Sequence, residues 1–300
     1  ILIATVAGRA CQHPASMARE ENSMNGFAQI LDAARRTTPV VHSITNYVTV
    51  NDCANMILAL GGSPIMADDP DEVEQIVAIS AALVINIGTL NRHTVPAMLA
   101  AGKRANALGK PVVLDPVGAG ASDLRNNALA RLLGEVRFAA IKGNSAEIRF
   151  LAGSAVAARG VDAGDDTLVT EANLTASARM AAGLSARTGA VVVASGPIDL
   201  VACPTAVWAV RNGNARLTGI TGAGCMAAAV TGCCLGAAPD KAPEACLCAM
   251  TIMGVAGEIA AAQSAPDKGG PGSFRMFLLD AVSSLSSPAL AARARVEAVL

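Results

Sequence analysis

Aromatic residues are scarce in this chain. Phe, Trp and Tyr make up 2% of its 300 residues, whereas hydrophobic residues of all kinds make up 52%. A surface that stacks nucleic-acid bases needs aromatic side chains, so the composition argues against one. Ala, Val, Ile and Leu must build the core, which favours buried parallel strands covered by Ala-rich helices.

The chain has no excess of positive or negative charge. The chain has 23 basic and 24 acidic residues, a net charge of −1 and no long basic run, so neither nucleic acid nor an anionic membrane is an expected partner. Residues 220–239 carry no charge and are long enough to span a bilayer. They are mostly Ala, Gly, Thr and Cys, however, so we predict a helix buried in a soluble core and no membrane.

The eight cysteines form no CxxC pair and no metal-ligand spacing. Five of them fall on apolar stretches. Buried free thiols in a reducing compartment are the expected state, and we predict a cytoplasmic protein.

A GxxxxGK[ST] phosphate loop is absent, so a kinase of this sequence must hold phosphate in another way. Gly222-Ala223-Gly224-Cys225, followed by an uncharged Ala-rich run, offers one. A helix start leaves backbone N–H groups unpaired and partly positive, and glycines allow a close approach, so the stretch predicts a seat for a phosphate. A buried helix flanked by glycines fits the spacing equally well.

Strand and helix patterns alternate for most of the length. Apolar runs such as residues 82–88 and 190–196 are typical of strands buried on both faces, which predicts an α/β fold with a mostly parallel sheet. Asn212-Gly213 is interpreted as the turn of an antiparallel hairpin within residues 199–217. We expect a loose tail over residues 1–23 and a single domain over 24–300.

In such folds the site lies at the carboxyl ends of the strands. Asp115 follows a Val-Val-Leu strand and is suited to a hard cation, although a turn aspartate fits as well. Lys142 could meet phosphate and Glu147 could hold Mg²⁺, but an Asn144 cap with Glu147 at its third position is a routine helix start. Ser195 could bind a nucleotide phosphate or simply end its strand.

The histidines, Tyr47 and Trp208 each stand alone in the sequence, and none is expected to take part in catalysis. The three histidines (His13, His42 and His93) have no ligand spacing, so surface or loop positions are expected. Tyr47 and Trp208 are expected to be packing residues.

Seven motifs in a fixed order carry a resemblance. They are Val41-His-Ser-Ile-Thr-Asn46, Leu60-Gly-Gly-Ser-Pro-Ile-Met66, Ile85-Asn-Ile-Gly-Thr89, Leu114-Asp-Pro-Val-Gly118, Ile141-Lys-Gly-Asn-Ser-Ala-Glu-Ile148, Gly222-Ala-Gly-Cys225 and Gly270-Pro-Gly-Ser-Phe274. From residue 24 to about residue 285, the chain resembles the hydroxyethylthiazole kinase family of the ribokinase-like superfamily. The resemblance implies a three-layer α/β/α fold, ATP-dependent phosphorylation of 4-methyl-5-(2-hydroxyethyl)thiazole in thiamine salvage, Mg²⁺, and a homotrimer with sites at subunit interfaces.

The resemblance also implies roles for single residues. They are contact with the thiazole by Met66, Asn46 and Gly222, contact with ATP by Lys142, Ser195 and Gly224, and placement of Mg²⁺ by Glu147 and Asp115. Lys142 and Ser195 stand where the family usually has Arg and Thr.

Cys225 is implied as the base that faces the acceptor hydroxyl. We expect the helix start to lower the pKa of its thiol towards neutrality. Related sugar and pyrimidine kinases place Asp at this position. The Cys therefore argues against the two alternatives, a nucleotide-dependent NAD(P)H-hydrate dehydratase-like lyase and a hydroxymethylpyrimidine kinase.

Overall fold

The structure is a computed structural model, and it describes residues 26–153, 168–264 and 269–300. The predicted tail over residues 1–23, with Cys11 and His13, lies outside these ranges.

In the described ranges the strands are β1 (Val40–Ile44), β2 (Ser63–Ile65), β3 (Ala82–Asn86), β4 (Val112–Asp115), β5 (Ala140–Asn144), β6 (Val191–Ser195), β7 (Asp199–Cys203), β8 (Ala206–Val210) and β9 (Val296–Ala298). The helices are α1 (Gln29–Thr37), α2 (Val50–Leu60), α3 (Val73–Ile79), α4 (Thr94–Ala107), α5 (Asp123–Glu135), α6 (Ser145–Leu151), α7 (Leu174–Thr188), α8 (Ala223–Ala237), α9 (Ala242–Gln263), α10 (Pro271–Ser284) and α11 (Ser287–Arg293). Short 3₁₀ turns form at Glu171–Asn173 and Ala215–Gly219.

All nine described strands lie in one sheet, in the order β2-β1-β3-β4-β5-β6-β7-β8-β9. The first six strands of this order form five parallel pairs, and the strands from β6 to β9 form three antiparallel pairs. The mostly parallel sheet predicted from the sequence is confirmed. Parallel strands all end at the same edge, so the loops that follow β1 to β6 share one rim of the sheet.

Helices cover both faces of the sheet, which gives the three layers expected. One core cluster joins α1, α2 and α8 to α10 to one face, and the other joins α3 to α5 and α7 to the opposite face. The two clusters alternate along the strands because successive side chains point to opposite faces. In β4, for example, Val113 belongs to the first cluster and Leu114 to the second.

The predicted buried helix is α8, which is apolar on nearly every side. It packs closely on the sheet because Gly232 faces β3: a Cβ at this position would lie 2.4 Å from Cγ2 of Val84. Among the described residues one helix, α9, is long and apolar enough to cross a membrane, but 78% of its most apolar stretch is buried within the protein.

The predicted hairpin is present, but its turn is not at Asn212-Gly213. β7 and β8 are joined by Pro204 and Thr205. Asn212 lies beyond β8 and is buried, and its amide donates to Glu258 and to the Arg293 carbonyl. The Asn212 side chain therefore links distant parts of the chain instead of forming a turn. The prediction that Asn212-Gly213 is the turn of the hairpin was wrong.

Two predictions for isolated side chains were also wrong. His42 is fully buried in β1, where Nε2 lies 2.7 Å from the Ala67 carbonyl oxygen. Tyr47 is 79% exposed and does not pack in the core. Trp208 is buried and His93 is exposed, as expected. The described cysteines are free, and Cys203 and Cys225 are the two that are half-buried.

Candidate active site

Five of the predicted site residues, together with Asn86, form a row along the carboxyl rim of the sheet. In strand order the row consists of Met66 after β2, Asn46 after β1, Asn86 at the end of β3, Asp115 at the end of β4, Lys142 on β5 and Ser195 at the end of β6. The residues implied for the acceptor lie at the β2–β1 end, and those implied for ATP lie at the β5–β6 end. The start of α8 faces the middle of the row through Cys225.

The predicted tight loop before α8 is confirmed. Gly222 immediately precedes the helix with φ +85°, a left-handed conformation that glycine adopts readily. Its position is also crowded, since a Cβ there would lie 2.5 Å from Cγ2 of Thr49. Gly224 is exposed and Cys225 is half-buried, so the first turn of α8 opens to solvent.

Cys225 is held by two asparagine amides. Nδ2 of Asn46 and Nδ2 of Asn86 each lie 3.3 Å from its Sγ. The Asn86 amide also donates to Oδ2 of Asp115 at 2.6 Å, and Asn46 donates to Oδ1 of Asn86 at 3.0 Å. Thr49 fixes Asn46 in turn, because its backbone N–H and its hydroxyl both donate to Oδ1 of Asn46 at 3.1 Å. The thiol therefore has a defined position at the rim.

The pKa of Cys225 is raised, which overturns the expectation of a lowered value. Burial is the main cause, and the nearby charge of Asp115 adds to it, while Thr49, Lys142 and Asn46 act in the opposite direction. The partial charge of the helix start is outweighed because the thiol is largely removed from water and faces a carboxylate.

Buried charges of opposite sign meet beside the thiol. Lys142 interacts with the carboxyl groups of Asp115, Glu147 and Asp199. Burial raises the pKa of all three carboxyl groups, to about 7 for Glu147 and for Asp199. Two of these groups, Asp115 and Glu147, supply carboxyl oxygens of the kind that a hard divalent cation prefers.

Glu147 and Asn144 also form the N-terminal cap of α6 that their spacing in the sequence predicted. Oε2 of Glu147 accepts from the Asn144 N–H at 2.7 Å, and Oδ1 of Asn144 accepts from the Glu147 N–H at 2.9 Å. Oε1 of Glu147 accepts from the Gly118 N–H at 2.8 Å. The capping role is thus present, and each carboxylate oxygen keeps a second lone pair for another partner.

At the ATP-implied end, Lys142 lies against the start of α8. Its Nζ is 3.1 Å from the position that a Cβ on Gly224 would take, so a side chain there would meet the ammonium group. Ser195 donates its hydroxyl to the Gly143 carbonyl at 3.2 Å, and the next amide, of Gly196, donates to Asp199 at 2.8 Å.

The structure thus brings Asn46, Asp115 and Cys225 into one hydrogen-bonded group and places Lys142 beside Gly224. Met66, which packs against the α8 side of the core, and Ser195 lie at opposite ends of the row. In the parts of the chain that the structure describes, no group of three or more His, Cys, Asp or Glu side chains could hold a metal ion.

Asn86, Thr49 and Arg125 are residues of this region that were not among the predicted site residues. Asn86 carried a signal, because it is a polar side chain at the end of an otherwise apolar strand. Thr49 and Arg125 carried none, since their contacts join positions that only the fold brings together.

Comparisons with known proteins point to one family of kinases. The model of the hydroxyethylthiazole kinase family matches residues 31–288. A hydroxyethylthiazole kinase of Desulfovibrio desulfuricans is 64% identical over 280 residues, which cover 91% of this chain and 98% of that protein.

Solved structures extend the comparison to the fold. The hydroxyethylthiazole kinase protein from Pyrococcus horikoshii superposes with a TM-score of 0.79 at 34% identity, over 91% of this chain and 99% of that one. A ribokinase-like superfamily protein from Enterococcus faecalis superposes with a TM-score of 0.53 at 12% identity, over 90% and 85% of the two chains, which shows a shared ribokinase-like fold alone. Family match, identity and coverage together establish that the chain belongs to the hydroxyethylthiazole kinase family.

Proposed function

We propose that this protein transfers the γ-phosphoryl group of ATP to the primary hydroxyl of 4-methyl-5-(2-hydroxyethyl)thiazole, a step of thiamine salvage. The observation that carries the proposal is the position of Cys225. It stands in the first turn of α8 and is held by Asn46 and Asn86 between the two ends of the row. In the reaction the hydroxyl oxygen bonds to the γ-phosphorus, the bond from that phosphorus to ADP breaks, and the hydroxyl loses its proton.

The acceptor is assigned to the β2–β1 end. Met66 offers an apolar surface to the thiazole ring, and Asn46 and Gly222 bound the same space beside Cys225. Cys225 accepts the hydroxyl proton as a thiolate. A raised pKa makes this a weak base, but a loose transition state lets the proton leave after the P–O bond to ADP has largely broken, so a small thiolate fraction suffices.

The donor is assigned to the β5–β6 end. The phosphate chain lies over Gly224 and the free amides of the α8 start, with the buried ammonium of Lys142 against it and Ser195 further along the row. Positioning and charge stabilisation by these groups supply most of the acceleration.

Magnesium fits the residues present. Asp115 and Glu147 supply the carboxylate oxygens that this cation prefers, and burial is the main cause of their raised pKa values. Mg²⁺ is commonly held by one or two carboxylates together with substrate phosphates, which agrees with a pair of carboxylates here. When bound, it would neutralise charge on the phosphates.

The two alternative activities are less well supported. Both a nucleotide-dependent NAD(P)H-hydrate dehydratase-like lyase and a hydroxymethylpyrimidine kinase would be expected to place Asp where this chain has Cys225. The family match also lies with the thiazole kinases.

The proposal includes a cytoplasmic homotrimer. The free cysteines agree with a reducing compartment. Tyr47 and Val48 are apolar, exposed and adjacent to Asn46, so a second subunit covering them would also border the acceptor end.

The deciding experiment is phosphate transfer with the purified protein. ATP, Mg²⁺ and the thiazole alcohol are expected to give ADP and a product heavier by one phosphate group in mass spectrometry. Parallel reactions offer the hydroxymethylpyrimidine and hydrated NADH. Turnover of either of these, with none of the thiazole alcohol, would refute the proposal.

A further inference from the structure

Arg125 lies in the first turn of α5 and reaches the rim of the sheet. Its half-buried guanidinium donates three hydrogen bonds to backbone carbonyls. Nη1 donates to the oxygens of Ile87 at 2.6 Å and Val117 at 2.7 Å, and Nη2 donates to that of Gly88 at 2.8 Å.

These carbonyls belong to two separate loops of the site. Ile87 and Gly88 follow β3 directly after Asn86, and the Gly88 N–H donates to Oδ1 of Asn86 at 2.9 Å. Val117 follows β4 two residues after Asp115. Asn86 and Asp115, which share a short hydrogen bond, are the last residues of β3 and β4. One guanidinium therefore ties together the two loops that directly follow these residues.

The second loop is held at a further point. The Arg125 guanidinium lies beside Gly118, where an added Cβ would be 3.4 Å from its Cζ. The Gly118 N–H donates to Oε1 of Glu147. The neighbouring Asn126 accepts from the Gly120 N–H at 2.9 Å, so the start of α5 fixes this loop through two successive side chains.

Arginine is the residue type that this task requires. Its planar fork presents several N–H donors at fixed angles, so a single side chain can satisfy three carbonyls from two loops. Lysine has a single ammonium nitrogen on a flexible stem, so it lacks the second donor nitrogen with which Arg125 contacts Gly88 and the planar geometry that fixes both.

We propose that Arg125 is a positioning residue for phosphoryl transfer. It holds the β3 loop against the β4 loop, so that the Asn86 amide stays on Cys225 and Asp115 and the Gly118 amide stays on Glu147. It acts through the backbone and does not touch the substrates. The inference rests on the proposed function and adds to it a residue that sets the geometry of the middle of the row, around Asn86 and Asp115.

The test compares Arg125→Ala and Arg125→Lys with Arg131→Ala, a matched control on the same helix. Arg131 is 57% exposed and pairs only with Glu135 one turn away among the ion pairs of the described residues. Arg125→Ala is expected to lower kcat by about 10²-fold, the usual effect of a displacement of about 1 Å among reacting groups, with KM for ATP within about threefold of wild type. Arg131→Ala is expected to keep wild-type kinetics.

Chemical rescue separates positioning from general stability. Added guanidinium chloride at low millimolar concentration should raise kcat of Arg125→Ala at least several-fold, because the ion can donate to the same carbonyls, and should leave Arg131→Ala unchanged. Thermal unfolding of each variant shows whether it is folded at the assay temperature. Should Arg125→Ala fail to fold, Arg125→Lys decides, and a kcat reduced at least tenfold is expected of the folded protein.

The inference is overturned by a folded Arg125→Ala, or by a folded Arg125→Lys where the first variant does not fold, with kcat within twofold of wild type. It is also overturned if guanidinium fails to rescue a folded Arg125→Ala. Wild-type protein that does not phosphorylate the thiazole alcohol at all refutes the proposed function and the inference with it, so the two failures are distinct.

Discussion

Cys225 is surrounded by amide donors, a hydroxyl and a carboxylate. Asn46 and Asn86 orient its sulfur, whereas burial and Asp115 raise its pKa. An efficient strong base would require the opposite electrostatics. The arrangement therefore favours a mechanism in which position of the acceptor hydroxyl matters more than the strength of the base.

Replacing Cys225 with Ala should accordingly slow the reaction without stopping it. We expect kcat to fall by about 10²-fold, the lower end of the range for a general base, with KM for ATP little changed. Steady-state kinetics on the purified variant measure both. Cys203→Ala, which removes the other half-buried thiol of the described residues, should match wild type. A kcat of Cys225→Ala equal to wild type would remove the thiol from the mechanism.

At the scale of single residues, the sequence predicted the polar side chains at strand ends but not their partners. From position alone, a turn aspartate fits Asp115 and a routine helix start fits Glu147 as well as a role in the site does, and the metal role came from the resemblance. The pKa of Cys225 was misjudged because it depends on Asp115, which is 110 residues away in sequence, and on a degree of burial that the helix pattern does not specify.

Among the elements, the start of α8 is the one whose geometry the site depends on most. Gly222 combines a left-handed φ with a contact to Thr49, and Thr49 in turn fixes Asn46. The loop before α8 and the loop after β1 therefore constrain each other.

Gly222→Ala should disturb both loops at once. The left-handed backbone alone costs a non-glycine residue roughly 1–2 kcal/mol, and the added Cβ must also displace Thr49. We expect a free energy of unfolding lower by about 2 kcal/mol and a clear loss of kcat, measured by urea unfolding and by kinetics. Gly219→Ala is the control, because a Cβ there meets nothing within 4 Å. Equal stability of the two variants would contradict this account.

His42 joins two neighbouring elements of the acceptor end. It lies in β1, and its Nε2–H donates to the carbonyl of Ala67, the residue after Met66. Burial lowers the pKa of His42, with the Ala67 bond acting against the shift, so the folded protein keeps the ring neutral.

The contribution of neutral His42 to stability should therefore decline on mild acidification. Glu147 and Asp199 act in the opposite direction, because their pKa values are raised to about 7 in the folded protein and their protonation favours the folded state. Below the ordinary pKa of 6.5 the unfolded chain binds a proton at His42 that the folded chain excludes, so stability present above pH 6.5 is lost as the pH falls towards the lowered folded value. We expect a slope of up to about 1.4 kcal/mol per pH unit from this group. Urea unfolding between pH 7 and 5.5 should show that the difference in free energy of unfolding between His42→Gln and wild type shifts in favour of the variant as the pH falls. His93→Gln, at an exposed histidine, is the control variant. Identical slopes for wild type and His42→Gln would refute the assignment.

Most elements could be predicted because their apolar periodicity is strong. The exceptions are local signals overruled by the fold. Asn212-Gly213 carries the dipeptide of a tight turn, yet Asn212 is used to bind Glu258 and the C-terminal segment. β9 is three residues long with Glu297 in its middle, too short for an alternating pattern to stand out.

On the scale of the whole molecule, every described strand joins one sheet with a core on each face. The single domain over residues 24–300 stays a prediction. The α/β class, the layer order and the rim that bears the site follow from the alternation of patterns in the sequence. The order of strands along the rim does not, since it depends on how the crossovers pack.

The proposed trimer can be tested directly by measuring the mass of the protein in solution. Light scattering on the eluting protein should report three times the chain mass of 30.1 kDa. Covering Tyr47 should also be part of assembly, so Tyr47→Asp is expected to lower the measured mass. A wild-type mass of one chain would refute the trimer.

The linear order of the rim has an evolutionary consequence. Met66 and Asn46, assigned to the alcohol, follow β2 and β1, while Lys142 and Ser195, assigned to the nucleotide, lie on β5 and β6, so substitutions at one pair leave the other pair's strands untouched. The start of α8, with Gly222 and Gly224, is shared by both. A lineage could exchange one small alcohol for another by altering two loops and inherit its phosphate donor unchanged. Such separability is a physical route by which one scaffold can come to accept a different small alcohol.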